Sequence, residues 1–153
     1  MGDTDHNGCD QRNDTLRRDL THLTYKPGTH GCVVTTGTLA DPYTGAEIAF
    51  TKGERTSSAV QIDHVVPLSW AWQHGASTWS DDHREQLATD LNNQAADGTA
   101  NESKSDQGPA TWLPAASYSC TYVTRFAYVV HRYELTLDTA DRDAITRVLD
   151  SCK

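Results

Sequence analysis

No stretch of this 153-residue sequence approaches the ~18 consecutive apolar residues that a membrane-crossing helix requires. Basic charge is also short: 13 Lys and Arg stand against 21 Asp and Glu, for a formal net charge of -8. Phosphate affinity normally comes from Lys and Arg, so a broadly basic nucleic-acid surface is excluded. A phosphate-binding protein of this composition would need a local basic strip or a bound metal. No C-x-x-C pair occurs, which leaves a structural zinc site or a thioredoxin-like redox pair without support. Neither H-E-x-x-H nor G-x-S-x-G is present, which removes the metalloprotease and serine-hydrolase signatures. Internal repeats and low-complexity tracts are missing as well. The opening MGDTDHNGCD has no apolar leader core and reads as a mature chain preceded by an expression methionine.

Four cysteines are present: Cys9, Cys32, Cys120 and Cys152. An even number placed near both ends reads as two disulfides in an oxidising, extracellular compartment. Three connectivities are possible; the sequence-local one, Cys9–Cys32 with Cys120–Cys152, is the expectation. In the chain-entropy description each such loop contributes roughly 3 kcal/mol, useful in a chain that is only 37% apolar. The length is that of a single domain, 1–153.

Leu16, Leu20 and Leu23 recur at roughly helical spacing within 9–24 and predict an N-terminal helix. CVVTTGT and EIAFT are β-prone and flank the turn-forming ADPYTGA, predicting a hairpin. VQIDHVVPL is a strand candidate ended by Pro67. Helical segments follow in SWAWQHGASTW and SDDHREQLATDL, the latter capped by Ser80. Residues 92–110 are rich in Asn, Asp, Gly and Ser and read as a surface loop. Two further helices close the chain, the last capped by Asp138.

Chemistry concentrates at Ile62-Asp63-His64-Val65-Val66-Pro67. Aspartate is a hard oxygen ligand suited to Mg²⁺ or Mn²⁺, and histidine can accept a proton from water near neutral pH. Alone, such a dipeptide in a strand is ordinarily structural; its company decides. Downstream lie Asn92, Asn101 and Lys104 in the frame LNNQAADGTANESKSD.

From CDQRNDTLRRDL through GCVVTTGTLADPYTGAEIAFT and SSAVQIDHVVPLSWAWQHGA to ATWLP, YSCTYV and DRDAITRVL, the sequence resembles one family. It is similar to secreted HNH (ββα-metal, His-Me finger) nucleases related to the C-terminal domain of GmrSD restriction enzymes. The resemblance implies an α+β fold with a ββα-metal core at about 58–106, an N-terminal helix, a β-hairpin, C-terminal helices and disulfide staples. It implies a single Mg²⁺ or Mn²⁺ ion held by Asp63 and Asn101, His64 as general base, and Asn92 bracing the ribbon that carries the base. Asn93 and Gln94 stand where the family pattern has apolar residues, which loosens the assignment of Asn92. The implied activity is sequence-tolerant hydrolysis of phosphodiester bonds in DNA, RNA being a further substrate, by a secreted monomer.

Lys104, Arg12, Arg17, Arg18 and Arg55 are candidate phosphate contacts, although Asp14 and Asp19 offer the arginines surface ion pairs instead. His74 and His131 read as packing or surface residues, and Trp70 or Trp72, if exposed, could stack on a base. Two other functions compete: a nuclease of narrower target, such as a toxin or a modification-dependent cutting domain, and a catalytically silent binding domain. Retention of Asp63, His64, Asn92 and Asn101 together argues against the silent domain.

Overall fold

The computed structural model describes residues 2–153. The backbone gathers into two compact units, residues 2–63 with 93–102 and residues 64–92 with 103–153. The fold mixes helices and strands and carries two disulfides, Cys9–Cys32 and Cys120–Cys152. This is the sequence-local pairing.

In the first unit, helix α1 (Gln11–Asp19) starts at Asp10, whose carboxylate accepts the Asn13 N–H at 2.8 Å, one of the donors a helix start leaves unpaired. The predicted helix over 9–24 therefore ends early. Strand β1 (Leu20–Tyr25) follows directly, because Thr21, Thr24 and Tyr25 are residue types that favour a pleated surface over a further helical turn. It pairs antiparallel with β2 (Val34–Ala40), which pairs with β3 (Glu47–Thr51). The expected hairpin is thus the inner and outer part of a three-stranded sheet. At Gly37 a Cβ would press on the Leu20 side chain at 2.9 Å, so any larger residue there would push Leu20 aside where β1 and β2 meet.

A second, two-stranded sheet pairs β4 (Val60–Asp63) with β5 (Gln94–Asp97), antiparallel, with Asp63 opposite Gln94 and Val60 opposite Asp97. Leu16, Leu20, Val34, Leu39, Phe50, Val60, Ile62 and Ala95 form the buried core of this unit. The reading of 92–110 as surface loop is corrected here. Gln94, Ala95 and Ala96 are buried in β5, and helix α4 (Gly98–Lys104) follows without a break. Composition hid the strand because its core contribution comes from two alanines. Asp97 then starts the helix by accepting the Ala100 N–H at 2.7 Å.

The second unit is helical. It contains α2 (Leu68–Gln73), α3 (Asp81–Ala88), α5 (Ala116–Arg132) and α6 (Thr139–Ser151). Ser80 and Asp138 cap α3 and α6 by accepting the His83 and Asp141 N–H groups. Tyr122, Val123, Phe126, Val129 and Val130 form the buried face of α5, with Trp70 edge-on to Phe126 at 5.1 Å between ring centres. The Cys120–Cys152 bond joins the second turn of α5 to the end of α6. Among the described residues no helix is long and apolar enough to cross a membrane.

Candidate active site

Asp63 ends β4 and is 4% exposed. Its Oδ2 accepts a hydrogen bond from the hydroxyl of Tyr43, itself buried, in the β2–β3 loop. Gln61 lies two residues earlier and so shares the Asp63 face of the strand. Asn101, on α4, donates its side-chain N–H to Gln61 Oε1 at 2.9 Å, while Gln61 Nε2 donates to Glu102 at 3.0 Å. This chain fixes the amide orientation: the nitrogen of Asn101 is committed to Gln61, and its oxygen is the atom turned elsewhere. The start of α4 depends on Gly98, where any Cβ would collide with the main-chain oxygen of Ser58. Asp63 and Asn101 together offer carboxylate and amide oxygens, a donor set that fits a hard divalent ion and not zinc.

His64 follows Asp63 in the chain and is half-buried. Its Nε2 lies 3.0 Å from the main-chain oxygen of Ala88. A carbonyl can only accept, so Nε2 carries the proton and the lone pair of the neutral ring resides on Nδ1. The His64 carbonyl accepts the ammonium of Lys104 at 2.7 Å. Lys104 is fully buried, 5.9 Å from the centre of the Tyr122 ring. The reading of Lys104 as a phosphate contact is therefore corrected: its charge is spent inside the protein on the backbone of His64.

Asn92 is half-buried and tied on two sides. Its N–H and side-chain amide both donate to Asp90 Oδ1 at 2.8 Å, and its carbonyl accepts Arg125 at 2.7 Å. Burial alone would raise the Asp90 carboxyl, but hydrogen bonds from Tyr133 and Asn92 outweigh it and hold it below the ordinary carboxylate value. The Tyr133 hydroxyl, buried and donating to Asp90 Oδ2 at 2.6 Å, is pushed up to about 12. The neighbouring Asn93 is buried, and its carbonyl accepts Arg18 at 2.6 Å.

The remaining basic candidates separate by exposure. Arg12 is half-buried and donates to the main-chain oxygens of Ser57 and Val60 at 3.3 and 3.1 Å; burial lowers its pKa. It braces the entry to β4 through these bonds. Arg18 grips Asp19 through two nitrogens at 2.6 and 2.9 Å while remaining exposed, and Arg17 approaches Asp14. Arg55 is exposed and lines a cleft of about 580 Å³ with Thr51, Ser58, Asp97, Thr99 and Glu102. Trp70 is buried and donates to Asp141; Trp72 is 52% exposed.

Sequence reasoning missed Tyr43, Gln61 and Arg125, whose roles rest on contacts across 20 to 41 residues that no local pattern signals. It also missed a grouping of His74, Asp138 and Asp141, whose ligand-type atoms lie within 4.8 Å of one another. There, Asp138 caps α6, and Asp141 accepts Trp70 and the Ala110 N–H, so hydrogen bonds inside the unit account for both carboxylates.

With this geometry in view, comparison with known proteins identifies the class. The family described as "GmrSD restriction endonucleases, C-terminal domain" matches residues 10–148, and the chain belongs to that family, a nuclease family. An "Uncharacterized secreted protein" of Arthroderma benhamiae is 38% identical over 148 residues, covering 94% of this chain and 68% of the relative. That likeness and the two disulfides make this an extracellular protein. No solved structure matches the chain significantly.

Proposed function

We propose that the chain is a metal-dependent HNH endonuclease that hydrolyses phosphodiester bonds of DNA, largely without regard to sequence, and acts as a monomer. The observation that carries this reading is the bond from His64 Nε2 to the Ala88 carbonyl. It holds the imidazole in the tautomer whose Nδ1 accepts a proton, next in sequence to the buried carboxylate of Asp63. β4, β5 and α4 supply two strands and a helix in the order that a ββα-metal core requires.

His64 takes the proton of a water aligned behind the scissile phosphorus, and its ring stays oriented because the carbonyl at Nε2 also stabilises the imidazolium that results. Asp63 and Asn101 would hold one Mg²⁺ or Mn²⁺ through oxygen. When bound, that ion neutralises charge growing on the phosphate and on the departing oxygen. Asn92, fastened by Asp90 and Arg125, supports the segment between α3 and β5. Arg55 and Arg18 are exposed cations that would contact the substrate backbone, Arg18 from its pairing with Asp19; the acidic remainder of the surface makes their placement matter more.

The test is plasmid nicking in Mg²⁺, Mn²⁺, Ca²⁺ or EDTA, with His64→Ala alongside and its fold verified by circular dichroism. Cleavage that requires Mg²⁺ or Mn²⁺ and falls by about 10²- to 10⁴-fold in the variant is expected. Cleavage in EDTA, or undiminished in His64→Ala, would sink the assignment.

A further inference from the structure

We propose that Tyr43 is a positioning residue for the metal ligand Asp63, and that the β2–β3 loop is a clasp setting the orientation of that carboxylate. This rests on the reading of Asp63 as a ligand.

The loop is closed on itself before it reaches the ribbon. The Asp41 N–H donates to the Ala46 carbonyl at 2.8 Å, and the Gly45 N–H donates to the Asp41 carbonyl at 2.9 Å. Oδ2 of Asp41 accepts both the N–H and the hydroxyl of Thr44, at 2.8 and 2.6 Å. From this fixed base two side chains reach the β4–β5 ribbon. Oδ1 of Asp41 accepts the Asp97 N–H at 2.9 Å, at the end where Val60 and Asp97 are paired. The Tyr43 hydroxyl donates to Asp63, at the end where Asp63 and Gln94 are paired. The two anchors are three residues apart along β4, roughly 10 Å, so the loop grips the ribbon along its length.

Packing alone would not need this hydroxyl. Tyr43 is 3% exposed, and phenylalanine would fill the same volume. The hydroxyl gives a buried carboxylate a donor, and a hydrogen bond donated to one oxygen restrains the plane of that carboxylate. Partners that orient a metal ligand in this way typically change metal affinity by about 10- to 100-fold when removed.

The experiment measures Mn²⁺ binding by electron paramagnetic resonance on substrate-free protein, comparing wild type, Tyr43→Phe and Asp63→Ala. Tyr43→Phe is expected to weaken Mn²⁺ about 10-fold or more, with nicking recovered towards wild type at saturating Mn²⁺. Thr44→Ala, an exposed change that loosens the same loop, should weaken Mn²⁺ in the same direction, and it serves if the Phe variant does not fold. Wild-type affinity in the folded variants, with Asp63→Ala impaired, would overturn the role of Tyr43 alone. Wild-type affinity in Asp63→Ala would overturn both it and the ligand reading.

Discussion

The ammonium of Lys104 donates to the main-chain carbonyl of His64 at 2.7 Å, and the lysine has no exposed surface. A charge-assisted bond to a backbone oxygen fixes the peptide that carries the imidazole, while the ring itself is held at Nε2 by Ala88. His64 is thus secured through its backbone and its side chain independently.

Lys104→Met should destabilise the protein by about 1–3 kcal/mol, because a buried carbonyl loses its donor, and should lower kcat more than it raises KM. The salt dependence of DNA binding should stay at its wild-type slope. Urea denaturation and binding titrations check this. A fully stable variant with a shallower salt slope would return Lys104 to the phosphate contacts.

Arg55 is the contrasting case. It is exposed on the cleft beside α4, so Arg55→Gln should leave stability unchanged. It should reduce the slope of log K against log salt by about 1 for DNA bound in Ca²⁺. A wild-type slope would remove Arg55 from the substrate path.

The Cys120–Cys152 bond closes a 32-residue separation, for which loop-closure entropy gives about 3–4 kcal/mol. Replacing both cysteines by serine should cost about that much in chemical denaturation. A loss under about 1 kcal/mol would show that the α5–α6 packing already restrains the unfolded chain.

Asp90 and Tyr133 make stability depend on pH at both ends of the range. The Asp90 carboxyl is depressed below its ordinary 3.8, so its contribution is present above that pH and is lost as pH falls through the lower folded value. Tyr133 is raised from 10 to about 12, so its contribution is complete below pH 10 and disappears as pH rises towards 12. The stability difference between wild type and Tyr133→Phe should be flat from about pH 5 to 9 and shrink beyond pH 10. Melting curves across that range measure it; a difference that grows in alkali would contradict the sign.

Sequence reading succeeded where the chemistry is local. Ser80 and Asp138 were legible as caps because the cap and the N–H it satisfies are three residues apart. The hairpin around ADPYTGA was legible because turn formers separated two β-prone runs, and the cysteine pairing because near neighbours close the shorter loops. It failed where burial decides. Lys104 looks like a surface cation in NESKSD, and nothing in its neighbours says that it faces inward. β5 looked like loop because Ala95 and Ala96 contribute small side chains to a core built mostly from distant residues. Tyr43 and Asp63 are 20 residues apart, and only the folded loop joins them.

The sequential order of the two disulfides, first cysteine with second and third with fourth, bears on how the chain matures. A polypeptide threaded N-terminus first through an export channel presents its cysteines in the order in which they pair. Each thiol that emerges as an even-numbered cysteine finds its native partner as the sole unpaired one already outside. Oxidation in order of arrival therefore yields the native connectivity directly, and maturation calls for an oxidant without requiring an enzyme that reshuffles wrong pairs.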